Sequence, residues 1–201
     1  AGGFHVFVLH GITGSGKTEV YLTCALEALE RGRSVLYLVP EIALTSQTVA
    51  MIKGRIPCEI AVFHSGLAEV ERAREFLRVA RRGVRFVLGT RSAVFAPLKD
   101  LGLIVVDEEH DHSYKQDEGV HYNARDLSVV RAARGGACVI LGSATPSMET
   151  FEHARSGRYE LLAMNTRVGA AALPVIRLVD MRSVKKALSD ELLEEMGGTL
   201  A

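Results

Sequence analysis

The sequence predicts an α/β fold, a mostly parallel sheet with helices on both faces. Two observations carry that prediction. Short β-branched runs alternate with longer amphipathic stretches along the chain. The strand-like runs are apolar almost throughout rather than alternating, as expected for strands covered on both sides. The 201 residues are 48% apolar and 24% charged, a balance that suits a folded domain and excludes disorder or a collagen-like repeat.

The elements follow in order. Residues 4–9 read as a buried strand. Residues 17–30 read as a helix, with Val20, Cys24 and Ala28 on one stripe and Gly32 just past its end. Residues 35–39 form a second strand, 41–53 a helix and 59–63 a third strand. Residues 69–82 form a helix whose Val70, Ala73, Leu77 and Ala80 share a face toward the sheet. Residues 85–88 and 103–106 are strands, 124–134 a helix and 138–141 a strand. Residues 146–155 make a short helix that Thr145 caps. Beyond Arg155 the pattern weakens, leaving a candidate strand at 175–179 and a helix at 189–196 capped by Ser189. One lobe is expected over 1–182, followed by a helical tail over 183–201.

Charge and cysteines narrow the class. Lys+Arg and Asp+Glu both number 24, so no global basic field draws nucleic acid. Residues 69–91 hold seven arginines against three glutamates, but most lie on one helix and read as its solvated outer face. Cys24, Cys58 and Cys138 fit neither a zinc pattern nor a disulfide framework. They read as buried free thiols in a reducing, cytoplasmic setting. No zinc, secretory signal or membrane span is expected.

Residues 11–18, Gly11-Ile12-Thr13-Gly14-Ser15-Gly16-Lys17-Thr18, fit G-x-x-x-x-G-K-[ST] at every position. They follow a predicted strand and open a predicted helix. Glycines let backbone N–H groups converge on phosphate oxygens. The helix N-terminus adds a partial positive charge. Lys17 would reach the β/γ-phosphates and Thr18 would offer its hydroxyl to Mg²⁺. The competing reading is an ordinary Gly/Ser/Thr turn.

A second apolar strand ends in Asp107-Glu108-Glu109-His110. Asp107 would hold Mg²⁺, and Glu108 would polarise an attacking water. A second carboxylate favours hydrolysis over transfer to a small acceptor. Solvated loop acids or helix caps are the plainer alternative. A metal cluster from His110, His112 and His121 matches no known ligand spacing. The nucleotide reading requires the cradle and the acids to meet in space.

The acid run after the cradle resembles the DExH box of superfamily 2 helicases. Other segments are similar to the first motor lobe of the PriA family of bacterial primosomal helicases. They are Gly11 through Tyr21, Val39-Pro40-Glu41-Ile42-Ala43-Leu44-Thr45, Phe63-His64-Ser65-Gly66-Leu67, Gly89 through Pro97, Asp107 through Gln116, and Gly142-Ser143-Ala144-Thr145-Pro146-Ser147. They stand in the family's order and extend nearly over residues 8–182.

The resemblance implies a RecA-like P-loop NTPase lobe that uses ATP and Mg²⁺ to drive 3′ to 5′ movement on DNA. Single-stranded or forked DNA, a second helicase lobe and the proteins of the primosome and replication restart are the implied partners, in the bacterial cytoplasm. His110, Ser143 and Thr145 would couple nucleotide state to movement. Thr45, Gln47, Thr90, Arg91 and Ser92 are suited to DNA phosphates. Residues 111–123, long and irregular, resemble the family's aromatic-rich loop, where Tyr114 and Lys115 would contact DNA. Val120 stands where family members often have an aromatic. The rivals are another superfamily 2 translocase lobe and a non-hydrolysing nucleotide-binding module.

Overall fold

A computed structural model describes residues 3–81 and 83–168. The strand expected at 175–179, the helix at 189–196 and the boundary at 182 lie outside the described residues.

Among the described residues seven strands form one sheet, and every pairing in it is parallel. In chain order these are β1 (His5–Gly11), β2 (Ser34–Leu38), β3 (Ile60–Phe63), β4 (Phe86–Gly89) and β5 (Leu101–Asp107). After them come β6 (Lys115–Gln116) and β7 (Tyr122–Asn123), a separate antiparallel pair. The sheet resumes with β8 (Cys138–Ser143) and β9 (Glu160–Met164). Across the sheet the order is β3-β4-β2-β5-β8-β1-β9. β8 thus separates β5 from β1 by a single strand.

The helices are α1 (Lys17–Glu30), α2 (Ser46–Arg55), α3 (Glu69–Ala80), α4 (Ala124–Gly135) and α5 (Met148–Arg155). Alternate strand residues feed two cores, because successive side chains point to opposite faces. Val35, Tyr37, Phe86, Leu88, Leu103 and Val105 pack under α1 and α2 through Tyr21, Leu22, Ala25, Leu29 and Ile52. Leu36, Leu38, Val87, Ile104, Val106 and Val139 pack on the other side against Val79 of α3 and Ala124 and Ala132 of α4. All residues of β2 and β4 are buried, which is why those strands show no polar alternation.

Several local expectations are corrected. Residues 41–53 are not one helix. A 3₁₀ turn at Glu41–Ala43 precedes α2, whose Thr45 side chain accepts from Thr48 N at 3.1 Å as its N-cap. The buried stripe of α1 lies one position over from Val20, Cys24 and Ala28, which are only half-buried. Thr145 does not cap α5; Ser147 does, accepting from Thr150 N at 3.3 Å. β9 has four exposed positions and one half-buried one at the sheet edge, so it lacks the apolar signature that revealed the other strands.

The largest difference is α3. Val70 and Leu77 are 72% and 50% exposed, Ala73 is exposed, and only Val79 is buried. The helix covers the edge strand β3, which is too narrow to bury a whole stripe. The three cysteines are free and half-buried rather than fully buried, and burial pushes the Cys24 and Cys58 thiols up. Residues 111–123 are not structureless, since a 3₁₀ turn at His112–Tyr114 leads into the β6–β7 pair. Among the described residues no helix is long and apolar enough to cross a membrane.

Candidate active site

β1 ends at Gly11, and α1 begins at Lys17 with Gly16 as N-cap and no side-chain cap. Gly14 and Gly16 have φ of 77° and 90°, where a Cβ is strained. A Cβ at Gly11 would lie 2.5 Å from Ser15 Oγ and 3.2 Å from Lys17 Cγ. These glycines therefore let the loop wrap closely over the root of Lys17. The buried ammonium donates to the Gly11 carbonyl at 2.8 Å. Thr13 and Gly14 are exposed, Thr18 is half-buried in the first helical turn, and the buried Ser15 hydroxyl has no hydrogen-bond partner among the described residues. An orphaned hydroxyl beside uncapped helix N–H groups fits a cradle for anionic oxygens.

The acids arrive from β5. Lys17 Nζ lies 3.8 Å from Glu108 Oε1, so the cradle and the acid run do adjoin. Asp107 pairs with Gly142 in the sheet register, and Gly142 also pairs with Leu9 of β1. Burial raises the Asp107 carboxyl to about 6, the neighbouring Glu108 charge adds to that, and Tyr21, Glu108 N–H and Lys17 oppose it. Glu108 N donates to Asp107 Oδ1 at 3.0 Å. A half-buried, like-charged carboxylate pair beside one ammonium suits a cation more than it suits itself.

Tyr21 reaches this row from α1. A Cβ on Gly142 would fall 1.6 Å from the Tyr21 hydroxyl, so only glycine admits the ring there. The hydroxyl faces Asp107 and helps its charge, yet misses normal hydrogen-bond geometry. Burial first, then the Asp107 charge, raises the Tyr21 hydroxyl far above the usual phenol range. Sequence reading passed Tyr21 over, although its position in α1 four residues after Lys17 places it on the same helix face.

His110 and Ser143 meet, with Nδ1 2.7 Å from Oγ. Thr145 joins through its backbone, donating N–H to Ser143 Oγ at 2.9 Å, while its side chain is exposed. His10 at the end of β1 bonds the Ala144 carbonyl at 3.2 Å. The strand tips of β1, β5 and β8 are thus joined by hydrogen bonds around one point.

The residues proposed for DNA separate into groups. Thr45, Gln47 and Ser92 are exposed, and Lys115 is exposed with Asp117 at 3.0 Å. Thr90 is buried, at the wall of a groove that Thr45, Lys53 and His64 also line. Arg91 Nη1 donates to the carbonyls of Ser113 and Lys115 at 3.3 and 2.6 Å, bracing the 111–123 segment. Tyr114 is corrected: it is 1% exposed and donates to the Asp107 carbonyl at 2.6 Å, so its side chain supports the acid turn. Glu41 joins this face, its carboxylate bonded by Ser65 and its N–H directed to Ser113 Oγ at 3.5 Å.

Comparison with known proteins gives the family. The chain is 45% identical over 201 residues to the replication restart protein PriA of Bacillus subtilis (strain 168), covering 98% of this chain and 25% of that protein. It is 45% identical over 191 residues to the replication restart protein PriA of Chlamydia pneumoniae, covering 94% and 26%. The chain therefore spans about a quarter of the length of these relatives. The helicase domain of Pyrococcus furiosus Hef superposes with a TM-score of 0.56 at 18% identity, covering 80% of this chain and 35% of that one, which shows a shared fold. Residues 3–154 match the DEAD/DEAH box helicase family, and the chain belongs to it.

Proposed function

We propose that this chain is the ATP-binding and hydrolysing motor lobe of a 3′ to 5′ DNA helicase of the replication-restart type. The approach of Lys17 Nζ to Glu108 Oε1, 3.8 Å across two strand tips, supports this reading most. Gly11, Thr13, Gly14, Ser15, Gly16, Lys17 and Thr18 would cradle the triphosphate. Thr18 and Asp107 would hold Mg²⁺, which neutralises phosphate charge when bound. Glu108 would take a proton from the attacking water and Lys17 would balance charge on the phosphate. His110, Ser143 and Thr145 would relay the result to the DNA-facing loops.

Single-stranded or forked DNA is the substrate we assign, by likeness to the relatives. The exposed Thr45, Gln47, Ser92 and Lys115 are the first contacts to test. A second lobe and restart proteins would be partners, in the bacterial cytoplasm. Hydrolysis by this lobe alone should be weak, because stabilisation supplied across such a site is worth ~10³–10⁵ in rate.

The test is ATP hydrolysis with and without single-stranded DNA, using Lys17→Ala and Glu108→Gln as controls. DNA-stimulated hydrolysis lost in both variants is the expected result. Nucleotide binding without hydrolysis, measured in the full-length polypeptide, would favour a binding module instead. Hydrolysis indifferent to DNA would count against the helicase.

A further inference from the structure

Glu109 is the third acid of the run, and the nucleotide chemistry leaves it without a task. Its side chain is fully buried. Oε1 accepts from Ser147 N at 2.7 Å. Oε2 accepts from Ser147 Oγ at 3.1 Å, Thr150 Oγ1 at 2.9 Å and Arg125 Nη1 at 3.2 Å. Arg125 Nη1 also donates to Ser147 Oγ at 2.7 Å. The Glu109 backbone is held too, its N–H donating to the Gly142 carbonyl at 3.0 Å.

The side-chain partners come from two places. Ser147 and Thr150 begin α5, directly after the Ser143–Thr145 turn. Arg125 stands in the first turn of α4, directly after the 111–123 segment. Glu109 itself lies just before that segment and just after Glu108. The Glu109–Arg125 pair therefore closes the base of the 111–123 segment, one residue from the acid assigned to water.

Burying an ion pair costs several kcal/mol per charge before its attraction is counted, so such a pair is weak evidence for stability. Four donors on one carboxylate instead fix the relative placement of the segments that supply them. A displacement at Arg125 or at the start of α5 must move the Glu109 carboxylate, and Glu108 is its backbone neighbour.

We infer that Glu109 is a positioning residue, through which Arg125 and Ser147 pass the state of segment 111–123 and of the Ser143–Thr145 turn to Glu108. The inference rests on the proposed DNA-stimulated hydrolysis. Glu109 touches neither nucleotide nor water in this scheme and acts only through its neighbours.

The experiment is steady-state ATP hydrolysis by the full-length polypeptide, with and without oligo(dT), for wild type, Glu109→Gln and Arg125→Lys. Glu109→Gln keeps the shape and an acceptor oxygen but loses the charge that grips Arg125. The KM for ATP and the DNA-free kcat should stay within about threefold of wild type, while the DNA-stimulated kcat falls about tenfold, inside the usual ~5–150-fold range of coupling between sites. Arg125→Lys, which has no second nitrogen to hold Asp126 as Nε does while Nη1 reaches Glu109 and Ser147, should give the same split and keeps the test open if Glu109→Gln does not fold. Equal losses with and without DNA would mean a structural role only and overturn the inference. An unchanged response to DNA would overturn it as well. A wild-type protein with no DNA response would overturn it together with the helicase reading.

Discussion

Lys17 Nζ stands between the Gly11 carbonyl at 2.8 Å and Glu108 Oε1 at 3.8 Å. The ammonium is nearly buried, whereas the Glu108 side chain is 38% exposed. Under the proposed function, one group would hold a phosphate and the other would meet solvent. Lys17→Ala should weaken binding of a fluorescent ATP analogue by about 10–100-fold, the worth of a charge-assisted hydrogen bond. Glu108→Gln should leave that affinity within a few fold and lower single-turnover hydrolysis by about 10²–10⁴-fold. Equal affinity in both variants would break the division of labour.

Gly142 supplies a test of packing. Gly142→Ala would drive a methyl group into the Tyr21 hydroxyl, 1.6 Å from an ideal Cβ. A loss of about 3 kcal/mol or more is expected, at the upper end for overpacking. Tyr21→Phe alone should cost little, because its buried hydroxyl has no normal hydrogen bond among the described residues. Combined with Gly142→Ala it should recover part of the loss. Urea unfolding of the four proteins checks this, and additive costs would place the clash elsewhere.

Asp107 makes stability depend on pH with an unusual sign. Its folded pKa, about 6, lies above the ordinary 3.8. Between those values the native chain binds the proton more firmly than the unfolded one, so stability from this group falls as pH rises from about 4 to about 6. A shift of this size amounts to roughly 3 kcal/mol. In metal-free buffer Asp107→Asn should therefore be more stable than wild type at pH 7, with the gap closing near pH 4. A gap that widens toward low pH would reverse the assignment.

The outward stripe of α3 predicts a contrast within one helix. Val70→Ser and Leu77→Ser should stay within about 0.5 kcal/mol of wild type, as exposed sites do. Val79→Ala should cost about 2 kcal/mol, because Val79 is 1% exposed in the core between α3 and the sheet. Similar losses at all three positions would mean that the stripe is covered.

The fold was legible wherever burial left a mark on composition. β2 and β4 are buried at every position and stood out as unbroken apolar runs. β9 is mostly exposed and left no such mark. Periodicity gave α3 its apolar stripe but could not say which way it faces, because that depends on the width of sheet beneath it. The stop at Leu44 and the restart at Thr45 hid inside a window that reads as one helix. In the site, residues 11–18 and the pair Asp107–Glu108 stand out in the sequence by their spacing, which the proposed function ties to phosphate and cation geometry. Glu109, Tyr21 and Arg91 were not, since each owes its role to partners distant in sequence: Thr150, Gly142 and Lys115. Tyr114 was misread because an aromatic in a polar loop looks like a surface residue, while its side chain belongs to the same buried cluster as Val106 and Leu141.

Glu108 holds a φ of 45°, in the left-handed region that non-glycine residues with long side chains avoid. Such torsion costs on the order of 1–3 kcal/mol and persists only where surrounding contacts impose it. Replacing Glu108 by glycine should thus yield a tougher but inert protein, and screens for heat resistance would select that loss. Under the proposed function, robustness and turnover would pull against each other at this one peptide unit.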